Sequence, residues 1–203
     1  MKILIYFITL FIFSTFAFAC DNKNSDINFN NKENNMNNDN MPNNPKYAYF
    51  SSGCFWGVEY WFEKAEGVFS AISGYAGGHK ANPTYIEVCT GLTGHLETVK
   101  VGYDADKTTY EDLIKLFFET HNFTQKNGQG QDIGSQYLSA IFYQNEEEKE
   151  IAEKYINILK EKGFDVATTL REFKNFYEAE DYHQDYYSKK GSTPYCHFYN
   201  KIF

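Results

Sequence analysis

Hydrophobic and polar positions from residue 46 onward follow two patterns, one typical of strands and one typical of helices. Strands are predicted where apolar and aromatic residues run together between turn residues, at 47–51, 68–75, 95–103, 137–143 and 166–173. Helices are predicted where apolar residues recur every three or four positions, at 54–66, 109–120 and 146–162. This order predicts an α+β domain, a two-layer split-βαβ (ferredoxin-like) mixed sheet with helices. The chain after Phe176 lacks a clear period, and we expect it to form a C-terminal tail that wraps the core.

The N-terminal residues 1–19 have a different pattern, because an apolar run at 3–19 follows the single cation Lys2 and offers no polar face. This pattern predicts a signal peptide. Ala17-Phe18-Ala19 fits a cleavage site, and Cys20 follows at once, as in the lipid-attachment motif of bacterial lipoproteins. Lipidation at Cys20, plain secretion and an uncleaved anchor are three open alternatives. We expect an exported protein, either periplasmic or anchored to the membrane as a lipoprotein.

Residues 20–45 form an Asn-rich segment, in which half of positions 21–44 are Asn. Because the segment has few apolar side chains, their burial cannot offset the entropy lost on ordering the chain. We therefore predict a disordered tether. The folded catalytic domain is then predicted at 46–203, and the sequence has no internal repeat that would indicate a second unit.

Composition excludes several classes of protein. The formal net charge of -8 argues against binding a phosphate backbone, and we predict no nucleic-acid partner. Four cysteines are too few for a disulfide scaffold. The 19 Phe and 17 Tyr residues provide enough rings to fill a core and still line a pocket.

The strongest candidate for chemistry is Cys54, in Gly53-Cys54-Phe55-Trp56-Gly57, where a predicted strand ends and a predicted helix begins. The free N–H groups of a helix N-terminus stabilise a thiolate, which is the nucleophilic form of cysteine. The alternative is that Cys54 is a buried apolar filler. Glycines on both sides and two large rings directly after it favour the nucleophile.

Other residues have weaker signals when taken singly. Cys89 follows an apolar stretch and is interpreted as structural, whereas Cys196 lies in the irregular tail and is either a resolving thiol or a capped surface cysteine. No pair of cysteines forms a CxxC motif, so a thioredoxin-like site and a zinc knuckle are not expected. An acid and hydrogen-bond donors for a thiolate site are available from two carboxylates and two phenols: Glu97, Asp132, Tyr85 and Tyr137.

At these positions the sequence resembles the class A peptide methionine sulfoxide reductases, which act on the S epimer. The resemblance runs from about Phe50 to Cys196. It is carried by GCFWG (53–57), GYAGG (74–78), NPTY (82–85), VC (88–89), TGHLE (93–97), QGQDIG (129–134), QY (136–137), SAIFY (139–143) and AEDYHQ (179–184). Nine segments in the family's order are far more specific than GCFWG alone.

The resemblance implies a mechanism for this chain. The Cys54 thiolate attacks the sulfoxide sulfur, Glu97 protonates the oxygen, and methionine leaves while Cys54 becomes a sulfenic acid. Tyr85 and Tyr137 are implied to bind the oxygen. Asp132 is implied to orient the polar groups, and Phe55 and Trp56 are implied to bind the substrate methyl group. Physical chemistry adds that Glu97 needs a raised pKa, through burial, to hold a proton near neutral pH.

The resemblance also implies how Cys54 is recycled. Cys196 condenses with the sulfenic acid to a Cys54–Cys196 disulfide, and an external dithiol such as thioredoxin reduces it, with no bound cofactor. Many members of the family carry two recycling cysteines near the C-terminus, whereas this chain has only Cys196 there, so a single resolving step is implied. The substrate is methionine sulfoxide, free or in oxidised proteins, and we expect a monomer that repairs such proteins.

Two alternative functions use the same residues differently. An exported Cys-His peptidase or acyltransferase would pair Cys54 with His183, although a structural role is the favoured interpretation of His183. A non-enzymatic binding module would use the rings alone. His95, His183 and His197 lack the spacing of metal ligands, so no metal site is predicted.

Overall fold

The structure is a computed structural model that describes residues 41–203, and the sheet at its centre has six strands. In chain order these are β1 (Pro45–Ser52), β2 (Val68–Ala76), β3 (Leu96–Asp104), β6 (Ser139–Tyr143), β7 (Thr169–Glu172) and β8 (Phe176–Glu178). Their order across the sheet is β7-β6-β1-β3-β2-β8. The two-residue strands β4 (Gly128–Gln129) and β5 (Asp132–Ile133) form a separate hairpin.

Strands β1 and β3 are the central pair of the sheet and run antiparallel. The pairs β1/β6, β2/β3 and β2/β8 are also antiparallel, whereas β6 and β7 run parallel. The sheet is therefore mixed, and with the helices it confirms the predicted α+β class.

The helices are α1 (Phe55–Glu63), α2 (Tyr85–Cys89), α3 (Tyr110–Glu119), α4 (Glu146–Glu161) and α5 (Tyr186–Lys190), with 3-10 turns at Ser135–Tyr137 and Asp181–His183. Residues of α1, α3 and α4 form the main core with residues of β1 and β3, among them Phe50, Phe62, Val99, Phe117 and Leu159. A smaller apolar cluster around Tyr49, Leu96 and Phe142 includes the flanking residues Phe173 and Phe176.

Local sequence explains where the longer helices begin. The side chain of Thr109 accepts a hydrogen bond from the backbone N–H of Asp112 at the start of α3. Asn145 does the same for Glu148 at the start of α4, whose first turn is acidic as the helix dipole favours. Thr84 and Glu87 form a capping box that starts α2 next to the functional site.

The tail contains regular elements that the sequence does not predict, among them helix α5 and a short strand. Residues 176–178 form the edge strand β8, which pairs with Gly74, Tyr75 and Ala76 of β2. Such a short edge strand has no periodic pattern of its own, because its stability comes from the neighbouring strand. Beyond β8 the tail packs over α1, where Trp61 donates to the carbonyl of His197 at 3.4 Å, and its last residues donate to Glu119 of α3.

The predicted signal peptide and most of the predicted tether lie outside the described residues. Within residues 41–203, none of the helices has the length and apolar character needed to span a membrane.

Candidate active site

Cys54 lies between β1 and α1, as the residue that caps the N-terminus of the helix. Gly53 before it has a φ of 99°, and a Cβ there would lie 2.4 Å from Cβ of Gln129. Only glycine fits both the left-handed backbone and this close approach. The chain therefore turns sharply and leaves Cys54 half-buried at the end of the sheet.

Glu97 comes to the same place from β3, the neighbour of β1 in the sheet. Its Oε2 accepts a hydrogen bond from the backbone N–H of Phe55 at 3.0 Å. The residue is only 1 % exposed, and Oε1 has no hydrogen-bond partner within the part of the chain that the structure describes. The acid is thus fixed beside the nucleophile, with one oxygen left free.

Burial raises the pKa of Glu97 to about 8, with a smaller contribution from the Asp132 carboxylate, while the hydrogen bond from Phe55 opposes the rise. The expected rise in the pKa of Glu97 is confirmed. It does not require a bound substrate, because the protein itself already removes this carboxyl group from water.

The expectation that its position makes Cys54 a stable thiolate is wrong for the resting enzyme. Burial raises the pKa of the Cys54 thiol well above its ordinary range, and Glu97 and Cys196 add to the rise when they are ionised. The backbone N–H of Trp56 acts in the opposite direction, as expected at a helix N-terminus, but its effect is smaller. Cys54 and Glu97 consequently rest as a neutral pair in which both groups hold their protons.

Two phenols face this pair. Burial raises the pKa of both Tyr85 and Tyr137, and Glu97 adds to the rise in each case when it is ionised. Their hydroxyl groups therefore remain protonated and able to donate. Tyr85 is the first residue of α2, and its backbone N–H donates to Glu180 at 2.9 Å. Its side chain also interacts with Cys89, which places that cysteine next to the site.

An aromatic wall adjoins the pair. The ring of Phe55 lies 6.3 Å from that of Trp56 and 6.4 Å from that of Tyr85, between ring centroids. Trp56 stacks on Tyr186 at 3.7 Å, and its Nε1–H donates to Nδ1 of His183 at 3.1 Å. These contacts hold the Trp56 ring in one orientation.

His183 is part of this wall rather than a base for the thiol. It is 1 % exposed, and its ring centroid lies 4.3 Å from that of Tyr85 and 4.9 Å from that of Phe55. Nδ1 is occupied by the bond from Trp56. The structural interpretation of His183 is confirmed, and the geometry does not support a Cys54–His183 dyad.

The tail brings Cys196 to the site. Tyr195 donates to both oxygens of Asp132, at 3.1 and 3.3 Å, and the Cys196 thiol also interacts with that carboxylate. Asp132 therefore joins the hairpin β4–β5 to the tail. Its charge acts on Cys54, Glu97 and Cys196, whose thiol pKa is raised to about 12 by burial and by Asp132. Cys54 and Cys196 are both free, as in a reduced enzyme.

Sequence reasoning missed two residues of this site. Glu180 accepts from the hydroxyl of Tyr75 at 2.8 Å and from the backbone of Tyr85, so it links β2 to α2. It lies in the AEDYHQ segment, which was the available signal. From sequence His197 is at most a candidate metal ligand, yet it is 1 % exposed and its Nδ1 lies 3.0 Å from Sγ of Cys196. Within residues 41–203, no group of His, Cys, Asp and Glu side chains could hold a metal ion.

Comparison with known proteins agrees with this geometry. The sequence model of the family described as "Peptide methionine sulfoxide reductase" matches residues 46–202. The "Peptide methionine sulfoxide reductase MsrA" of Acinetobacter baumannii (strain AYE) is 50% identical over 151 residues, which cover 74% of this chain and 87% of that protein.

Solved structures agree as well. Reduced Mxr1 from Saccharomyces cerevisiae is 32% identical, with a TM-score of 0.72 over 79% of this chain and 94% of that one. Methionine sulfoxide reductase A of Corynebacterium diphtheriae is 36% identical, with a TM-score of 0.67 over 75% of this chain and 79% of that one. On the family match and these identities, this chain belongs to the peptide methionine sulfoxide reductase family.

Proposed function

The chain belongs to a family of methionine sulfoxide reductases, and we propose that Cys54 and Glu97 carry out its reduction of methionine S-sulfoxide. The observation that carries the assignment is the buried carboxyl group of Glu97, held by the N–H of Phe55 directly after Cys54 and retaining a proton near neutral pH. A nucleophile with a protonated acid close beside it is what a sulfoxide requires, because its sulfur is attacked while its oxygen must leave.

The first step balances as a proton relay. Sγ of Cys54 attacks the sulfoxide sulfur, Glu97 gives its proton to the oxygen, and Glu97 takes the proton that the thiol loses. The S–O bond and the new bond between the two sulfurs then break as the hydroxyl group bonds to Sγ of Cys54, and methionine leaves. The neutral resting pair suits this sequence, because a charge separates only when the substrate is present to stabilise it.

The surrounding groups account for selectivity between the epimers. Tyr85 and Tyr137 donate to the sulfoxide oxygen, and Phe55 and Trp56 contact the methyl group. Once oxygen, methyl and side chain each have a fixed place, only one configuration at sulfur faces Cys54. The bond from Trp56 to His183 and the stack on Tyr186 support this part of the proposal, because they fix the wall against which the methyl packs.

The second step is proposed to use Cys196. Its sulfur attacks the Cys54 sulfenic acid, the disulfide forms, and water leaves. A groove of about 530 Å³ next to Cys196 is lined by aromatic residues that include Phe123, Tyr195 and Phe198, which gives an external dithiol an approach to the disulfide. The external reductant of the family is thioredoxin, and Mxr1 has been solved in complex with Trx2.

A steady-state assay tests these roles. Full-length chain is supplied with thioredoxin, its reductase and either epimer of a methionine sulfoxide peptide. The S epimer is expected to turn over, whereas Cys54→Ser is expected to be inactive and Cys196→Ser to stop after one methionine per chain. Continued turnover by Cys54→Ser would overturn the proposal.

Further features complete the proposal. The strand order β6-β1-β3-β2 places β3 between β1 and β2, which supports a split-βαβ description of residues 45–143.

The sequence of residues 1–20 supports export, with Cys20 as the site of lipid attachment. The protein is proposed to act as a monomer that repairs oxidised proteins outside the cytosol. Incorporation of a labelled fatty acid that is lost in Cys20→Ser tests the lipid attachment.

A further inference from the structure

The tail is attached to the active-site loop through His197, which neither the sequence nor the family resemblance assigns to the reaction. Nε2 of His197 lies 2.7 Å from the carbonyl oxygen of Ser52, at the end of β1. Since a carbonyl only accepts, Nε2 carries the proton and donates to Ser52. The other nitrogen, Nδ1, then has a free lone pair.

That lone pair faces the sulfur of Cys196. Nδ1 lies 3.0 Å from Sγ, so Nδ1 of the neutral ring can accept the single proton of the Cys196 thiol, for which the Asp132 carboxylate is the other acceptor. Burial lowers the pKa of His197 to about 4, which keeps the ring neutral and preserves this pattern of donor and acceptor at neutral pH. His197 therefore bridges the end of β1, two residues before Cys54, and the candidate resolving thiol.

The glycines that flank the nucleophile provide the space for this ring. A Cβ at Gly57 would lie 2.2 Å from Nδ1 of His197, and a Cβ at Gly53 would lie 3.5 Å from its Cε1. The imidazole thus packs against both ends of the Gly53–Gly57 segment that carries Cys54. The Nε1–H of Trp61, on α1, also donates to the carbonyl of His197 at 3.4 Å.

We propose that His197 is a positioning residue for the second half-reaction, holding the Cys196 thiol against the Gly53–Gly57 segment so that the disulfide can form. In that step Sγ of Cys196 bonds to Sγ of Cys54 and the S–O bond of the sulfenic acid breaks. The leaving hydroxyl takes the thiol proton and becomes water. The Cys196 sulfur is oxidised and the sulfenic sulfur is reduced. The proposal rests on the proposed role of Cys196.

Asp132 is the other group that touches the Cys196 thiol, and it acts differently. Its carboxylate raises the pKa of Cys196, whereas His197 contributes no charge. Asp132 also belongs to the hairpin β4–β5 and not to the Gly53–Gly57 segment. Of these two neighbours, only His197 bridges Cys196 and the end of β1.

Single-turnover experiments without reductant test this role, because they separate the two steps. Full-length wild type, His197→Ala, His197→Gln and Cys196→Ser each receive one equivalent of an S-sulfoxide peptide. Methionine formation is followed by chromatography, and the sulfenic acid is trapped with a dimedone probe at timed intervals. His197→Ala is expected to release methionine at the wild-type rate but to form the disulfide about 100-fold more slowly, so that the sulfenic acid accumulates.

The conservative variant distinguishes positioning from general loss of structure. His197→Gln keeps an N–H at the place of Nε2 and can still donate to Ser52, so it is expected to form the disulfide faster than His197→Ala. Gly57→Ala leaves His197 in the chain but fills its space, and it is expected to slow disulfide formation in the same way. An unchanged rate of methionine release shows that each variant is folded around Cys54.

The outcomes distinguish failure of this proposal from failure of the proposed function. If Cys196→Ser resolves as fast as wild type, Cys196 is not the resolving thiol and both ideas fail. If Cys196→Ser stops at the sulfenic acid while His197→Ala forms the disulfide at the wild-type rate, the role of Cys196 stands and that of His197 is overturned. Equal slowing of methionine release and disulfide formation by His197→Ala would also overturn it.

Discussion

The backbone N–H of Phe55 and Oε2 of Glu97 are joined by a hydrogen bond of 3.0 Å, which ties the acid on β3 to the first residue of the helix that Cys54 caps. Sequence separates these residues by 42 positions. The bond leaves the second carboxyl oxygen free, and burial makes the protonated form of Glu97 the stable one up to about pH 8. An acid and a nucleophile are thereby fixed in one small site before any substrate arrives.

Replacement of Glu97 by Gln is expected to lower kcat by about a hundred- to ten-thousand-fold, because the amide occupies the same space but cannot give up a proton. In wild type kcat/KM should be highest below the pKa of Glu97, where the acid is protonated, and this acid limb should fall as the pH rises through about 8. The pH profile of kcat/KM measures this limb. Its persistence at the same pH in Glu97→Gln would show that another group supplies the proton.

The same substitution is expected to stabilise the fold at alkaline pH. The pKa of Glu97 is about 8 when folded and roughly 4.3 in an unfolded chain, so ionisation opposes folding increasingly between these values. Glu97→Gln should match wild type in Tm near pH 4 and exceed it near pH 8, by about 2 to 4 °C for each kcal/mol gained.

Glu59 provides a matched control for that result. It is also 1 % exposed with a pKa raised to about 8, chiefly by burial, but it lies on α1 and interacts with Ser73. Glu59→Gln should show the same dependence of Tm on pH and keep its reductase activity. A loss of activity in Glu59→Gln equal to that in Glu97→Gln would mean that the effect at Glu97 is general rather than chemical.

Loss of one phenol hydroxyl is expected to reduce kcat with a smaller effect on KM. Tyr85→Phe and Tyr137→Phe should each lower kcat about ten- to a hundredfold, and the double variant should lower it further. The reason is that each donor acts mainly on the charge that develops on the sulfoxide oxygen. Steady-state kinetics with the S epimer measures this. The control is Tyr110→Phe, since the buried hydroxyl of Tyr110 has no partner in the described part of the chain and its removal should be neutral.

His183 should affect substrate binding rather than chemistry. His183→Ala removes the acceptor of the Trp56 N–H and a ring that packs on Tyr85, so KM should rise through the loosened wall. The pH dependence of Cys54 alkylation should stay as in wild type. A shift of that pH dependence in His183→Ala would show that His183 affects the pKa of Cys54, and it would support the alternative of a Cys-His peptidase or acyltransferase.

Local sequence signals predicted the parts of the fold that local forces determine. The predicted helix at 146–162 is α4 within one residue, because its cap at Asn145, its acidic first turn and Gly163 are all encoded nearby. Strand β8 was missed because its three residues gain stability only from pairing with β2.

The same distinction applies to the site. The residues carrying chemistry were recognisable because their types and order resemble a known family. The charge state of Cys54 could not be predicted from the sequence, since it depends on how much protein surrounds the sulfur and on a carboxyl group from another strand. The contact of His197 with Cys196 and the Gly53–Gly57 segment was equally inaccessible, because it depends on how the irregular tail folds back over α1.

Mass mapping after one turnover tests the central claim most directly. The full-length reduced chain is mixed with one equivalent of either epimer of a methionine sulfoxide peptide in the absence of reductant, then alkylated and digested. The S epimer should yield one methionine per chain and a Cys54–Cys196 disulfide, with Cys89 still alkylated, and the R epimer should yield neither product. Methionine formed while Cys54 remains a free thiol, or formed equally from both epimers, would contradict the account.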